Sequence, residues 1–129
     1  MKLSVLGSRS INDWKLVNSL LRKEVVEGTV VLGGSAKGVD TLVKEWCLEN
    51  EVDFIEFLPY HMIDKNVDFT TKYFFLRNKQ LVDNADKVLA IWDEETKDTE
   101  YAIKYAQKKN IPVLVVKHPI NRSNPQEGV

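Results

Sequence analysis

Apolar residues gather in five short runs along the chain. Lys2–Leu6 stops at Gly7, Thr29–Leu32 stops at Gly33-Gly34, and Val52–Phe57 precedes Leu58-Pro59. Lys87–Trp92 runs into Asp93-Glu94-Glu95, and Pro112–Val116 closes at Lys117-His118-Pro119. None alternates cleanly with polar residues, which is the pattern of strands covered on both faces. Between the runs the spacing changes to three and four. Trp14, Val17, Leu21 and Val25 mark one helix, with Ser10 and Asp13 as its capping candidates. Leu42, Val43, Trp46 and Cys47 mark a second that begins near Gly38, Phe74, Leu81 and Val82 a third, and Ala102, Tyr105 and Ala106 a fourth. Strands and helices in strict alternation predict an α/β fold, an open parallel five-stranded sheet with helices on both faces, because parallel neighbours require crossovers.

The 129 residues suffice for one domain, expected over residues 1–117, with 118–129 as a polar C-terminal tail containing Pro125 and Gly128. Val88–Trp92 and Ile111–Val116 are far shorter than the roughly 20 apolar residues of a membrane span, and Met1–Leu6 lacks the apolar length of a secretory signal. The expectation is a cytoplasmic protein with no membrane partner. Eighteen Lys and Arg against 19 Asp and Glu give a net charge of -1, which speaks against a nucleic-acid partner on electrostatic grounds. One cysteine, Cys47, and two histidines, His61 and His118, allow neither an internal disulfide nor a zinc site. No metal and no cofactor are expected, and Cys47 reads as a small buried hydrophobe.

In an open α/β sheet the ligand crevice lies at the carboxyl ends of the strands. The segments there are Gly7-Ser8-Arg9-Ser10, Gly33-Gly34-Ser35-Ala36-Lys37-Gly38-Val39-Asp40 and Asp93–Thr99. Glycines running from a strand into a helix let backbone amides approach a phosphate, and Gly34 on that reading keeps space for the anion. The same glycines also suit a tight turn with close packing. Asp40 could meet ribose hydroxyls or cap its helix, and Arg9 could face a phosphate or a surface carboxylate. Arg77 and Asn78 share the inward face of their helix with Phe74 and Leu81, where polar groups need partners in the loops or in a ligand. The stretch Tyr60–Phe69 is longer than most strand-to-helix connections.

Taken together, these segments, Arg77-Asn78, and Ala85–Asp93 leading into Thr96-Lys97-Asp98-Thr99 resemble the SLOG superfamily, and within it the small single-domain YspA/YpsA-related, DUF2493-like group. The resemblance spans roughly residues 3–116. It implies a Rossmann-like sheet that binds nucleotides or their derivatives, with Gly7, Ser8, Arg9, Gly33, Gly34, Ser35, Lys37, Gly38, Asp40, Arg77, Asn78, Thr96 and Thr99 lining the pocket. Relatives include phosphoribohydrolases, a DNA-processing protein and sensors of nicotinamide- or ADP-ribose-type signals. Two positions depart from the pattern. Asp98 stands where the family has a phosphate-approaching glycine, and Ala102 where the hydrolases carry a glutamate.

Three functions follow, in order. The first is binding of a small nucleotide-like ligand as a sensor or sequestering protein. The second is hydrolysis of nucleotide N-glycosidic or phosphate bonds, with Asp40, Asp93 and Asp98 as the available carboxylates and no catalytic residue assigned. The third is single-stranded nucleic-acid binding, for which Phe69, Tyr73, Phe74 and Phe75 offer rings for base stacking. The consecutive Tyr73-Phe74-Phe75 also predicts a homo-oligomer, unless the Tyr60–Phe69 connection folds over these rings.

Overall fold

A computed structural model describes residues 1–120. Five strands, β1 (Lys2–Gly7), β2 (Val30–Gly33), β3 (Phe54–Glu56), β4 (Lys87–Trp92) and β5 (Val113–Lys117), form one all-parallel sheet in the order β3-β2-β1-β4-β5. The helices are α1 (Trp14–Glu24), α2 (Val39–Glu49), the short α3 (Tyr60–Ile63), α4 (Lys72–Asp83) and α5 (Lys97–Lys108). The chain builds outward from β1 to β3, then returns to the other side of β1 and builds outward again, a Rossmann-like winding.

Alternate residues of the central strands feed two cores, as the two-residue period of a strand requires. Leu3 and Val5 of β1, Val31 of β2, and Leu89 and Ile91 of β4 pack under Val17 and Leu21 of α1 and Leu42, Val43, Trp46 and Cys47 of α2. On the opposite face Leu6, Leu32, Val88 and Ala90 meet Leu81 and Val82 of α4 and Ala102, Ile103 and Ala106 of α5. Ser4, inside this second core, donates to the Leu81 carbonyl at 2.6 Å, so its hydroxyl is satisfied without water. Cys47 is buried, and loss of solvent pushes its thiol up to about 11.

Burial on both faces holds for β1, β2 and β4 but not for the edges. Ile55 of the edge strand β3 is half exposed and Leu114 of the edge strand β5 is also exposed. The apolar runs look alike in sequence, and strand order alone separates them. Helix α3 lies within the connection expected to be a loop; four residues are too few for a helical period to register. Among the described residues no helix is long and apolar enough to cross a membrane. Of the tail expected over 118–129, His118 bonds to the sheet through its amide and the Trp92 carbonyl at 2.7 Å, and residues 121–129 lie outside the described residues.

Candidate functional site

The strand order reverses between β1 and β4, and the loops leaving these two strands are bolted together there. Ser8 donates its amide to the Ile91 carbonyl at 3.0 Å, and its hydroxyl accepts from the Asp93 amide at 3.0 Å. Asp93 is the hub of the second loop. Its carboxylate accepts from the hydroxyls of Ser10 and Thr96, each at 2.7 Å, and from the amides of Glu95 and Thr96 at 2.8 and 2.7 Å. Burial would raise its pKa, but these bonds outweigh burial and hold the carboxyl well below the usual range. Ser10 thus serves the switch point, and Asp13 alone caps α1, accepting from the Leu16 amide at 3.1 Å.

The glycine-rich loop after β2 is packed against the chain itself. Asp40 accepts from the Ala36 amide at 3.0 Å and from Arg77 at 3.2 Å, with both side chains buried. A Cβ on Gly34 would fall 2.2 Å from an Arg77 guanidinium nitrogen and 2.4 Å from the Asp40 carboxylate. An internal ion pair therefore stands directly against Gly34, and Gly34→Val would strike that pair. Gly38, at φ +78°, lets α2 begin against the carbonyls of Ser8 and Arg9, where a Cβ would be 2.6 Å away. At Gly7 a Cβ would meet the Ile91 carbonyl at 2.5 Å, and at Gly33 the Phe54 ring at 2.7 Å. All four glycines are closely packed on the side where a Cβ would stand.

Arg77 and Asn78 do face inward. Arg77 donates to the Asn78 side-chain oxygen at 2.9 Å and to the Phe57 carbonyl at 3.4 Å, and the Asn78 amide donates to the Asp98 carbonyl at 3.2 Å. Burial pushes Asp40 up to about 6, with Arg77 and the Ala36 amide opposing the rise. Of the remaining expected residues, Ser35 donates to the Met62 sulfur at 3.4 Å and Lys37 is exposed.

A mouth opens between α4 and the start of α5. Arg9 donates to Asp98 at 2.9 Å, and its guanidinium carbon stands 4.8 Å from the centre of the Phe74 ring. Arg77 approaches the same ring at 5.5 Å. Arg9, Phe74, Phe75, Thr96, Lys97 and Asp98 line a cleft of about 390 Å³. Asp98 Oδ1, on a residue that lines this cleft, and Thr99 Oγ1 of the next residue are buried without hydrogen-bond partners. The Asp98 side chain therefore holds Arg9, and the N-cap residue of α5 is Thr96.

An aromatic cluster continues from Phe74. His61 meets Phe69 edge-on at 4.9 Å and Phe74 at 5.6 Å, and lies 6.0 Å from Tyr73. The Tyr60–Phe69 connection does fold against these rings, although Phe69 itself remains 60% exposed. Sequence reasoning missed His61 because nothing near it in the chain announces its partners. Among the described residues no group of three His, Cys, Asp or Glu side chains could hold a metal ion.

No family model and no curated protein matches the chain by sequence. Solved structures do match by fold. One is DNA processing protein A from Helicobacter pylori, described for its single-stranded DNA binding mode, at a TM-score of 0.74 and 20% identity over 99% of this chain and 70% of that one. Another is DNA processing protein A from Streptococcus pneumoniae, at 0.77 and 18% over 94% of this chain. This chain spans about half of the latter, 52%. The Rossmann-like fold is thereby established. The leading expectation of a nucleotide-like small ligand, with nucleic acid disfavoured as a partner, is corrected by the same finding, since a protein of this fold is described as binding single-stranded DNA. Net charge sums the whole chain and does not report how charge is distributed over its surface.

Proposed function

We propose that this chain is a single-stranded nucleic-acid-binding domain that takes the strand at the mouth between α4 and α5. The observation that carries the reading is Arg9, a guanidinium held over the Phe74 ring at the rim of a cleft walled by Phe75 and Lys97. Unpaired bases stack on aromatic rings and guanidinium planes, and Arg and Lys meet the phosphates between them. Arg9 supplies the plane and the charge together. The fold shared with DNA processing protein A supports the reading. In this view Ser8, Gly34, Gly38, Asp40 and Arg77 shape the loops, and Arg9, Lys97 and Phe74 meet the strand.

The test is titration of an oligothymidylate of about twelve nucleotides at low salt. The wild type should bind with an affinity that falls as salt rises, and Arg9→Ala should weaken it by about tenfold while lowering the log–log salt slope by about 0.7, one phosphate contact on a single strand. Duplex of the same length should compete poorly. Absence of binding at about 100 µM protein, the weak end of non-specific affinities, would overturn the proposal.

A further inference from the structure

The outer face of α5 carries an unusual pairing of rings and cations. Tyr101 and Tyr105, one turn apart, lie nearly parallel, with centres 5.9 Å apart and an interplanar angle of 13°. Phe75 meets Tyr101 at 5.5 Å, so the wall of the Arg9 cleft and this stack form a continuous line of rings. Lys104 and Lys108 border the two tyrosines around a shallow cleft of about 320 Å³. The ammonium groups of Lys79 and Lys109 stand 5.4 and 5.7 Å from the centre of the Tyr105 ring. Two carboxylates face them: Asp83, which accepts from Tyr105 at 2.6 Å and Lys79 at 3.3 Å, and Glu100, 3.8 Å from Lys104. Four lysines against two carboxylates leave the face basic on a chain whose net charge is -1.

We infer that this face is the continuation of the binding track: the single strand leaves the Arg9 cleft past Phe75 and runs along α5, stacking on Tyr101 and Tyr105 with its phosphates beside Lys104 and Lys108. The inference rests on the cleft being the first contact. Twelve residues of helix extend about 18 Å, which matches about five stacked nucleotides at roughly 3.4 Å each. A duplex hides its base faces, so the track selects unpaired strands. Half-buried tyrosines flanked by lysines are also an ordinary helix face, and chain length of the ligand separates the two.

Lys104→Ala/Lys108→Ala, two exposed sites, should weaken binding of the oligothymidylate of about twelve nucleotides about tenfold at low salt and lower its salt slope by about 1.4, at about 0.7 per contact. An oligomer of about four nucleotides, long enough only for the cleft, should bind this variant as it binds the wild type. Tyr101→Leu should cost the long oligomer about fivefold or more, the loss of one stacked base, with circular dichroism confirming the fold. Unchanged binding of the long oligomer by both variants overturns the track, and if Arg9→Ala still weakens both oligomers the cleft reading survives it. Loss in the lysine variant but not in Arg9→Ala overturns the path as drawn and the cleft with it, and so does a wild type that binds neither oligomer. If sedimentation shows that the lysine substitutions dissociate a dimer, the face is a contact between copies and the track is overturned.

Discussion

Two arginines flank the Phe74 ring and each holds an aspartate, Arg77 to Asp40 at 3.2 Å and Arg9 to Asp98 at 2.9 Å. The Arg77 side chain is 3% exposed and that of Arg9 is 32% exposed. Inside the protein neither Arg77 nor Asp40 has water to replace its partner, so the pair fixes the β2–α2 loop against α4. Arg9 keeps part of its guanidinium in solvent, where a phosphate can compete for it. The same two residue types therefore make a sealed fastener in one place and, on the proposed function, a recognition group in the other, and depth is the variable that separates them.

The largest effect that sharpens this contrast is Arg77→Met. It leaves Asp40 buried without its cation, and breaking a buried pair from one side costs about 3 to 5 kcal/mol. The urea midpoint should fall by roughly 2 M, at slopes of about 1–3 kcal/mol per M. A midpoint within about 0.3 M of the wild type would make the sealed pair no stronger than a surface one.

The next effect depends on pH. Asp40, at about 6 when folded against about 3.9 unfolded, binds its proton more tightly in the native state, so stability falls as pH rises between these values. Across roughly two units the loss is about 3 kcal/mol at about 1.36 per unit. Asp93, whose folded pKa is depressed, contributes stability that is full above about pH 4 and lost as pH falls below it. The window from pH 4 to 6 therefore isolates Asp40, and Asp40→Asn should flatten the slope of urea midpoint against pH there. Parallel slopes in both proteins would remove Asp40 from the account.

Smallest is the effect of Arg9→Gln on stability. Partial exposure screens the interaction, and the expected cost is about 1 kcal/mol, well below that of Arg77→Met. Equal losses in the two variants would erase the distinction of depth.

The sheet was legible because each strand is a compact apolar run ended by glycine, proline or acid, and because strict alternation with helices leaves few windings. The inward aim of Arg77 and Asn78 was legible from their spacing to Phe74 and Leu81. Their partners were not. Asp40 is 37 residues from Arg77, and Asp98 lies 89 residues from Arg9, distances at which no local pattern connects two side chains. For that reason Gly34 read equally well as a phosphate cradle and as a packing contact.

The central position of β1 also constrains how the molecule is made. Its neighbour β4 pairs Leu3 with Lys87, so the first strand to be synthesised waits for residues more than eighty positions later. At about 5–20 residues per second the wait is about 4 to 17 s, during which β1, apolar on both faces through Leu3 and Val5 on one and Leu6 on the other, lacks its β4 neighbour and keeps an open edge. A nascent chain in that condition is exposed to strand pairing with its neighbours on the same message, and shielding of this edge becomes a requirement of synthesis rather than of the finished fold.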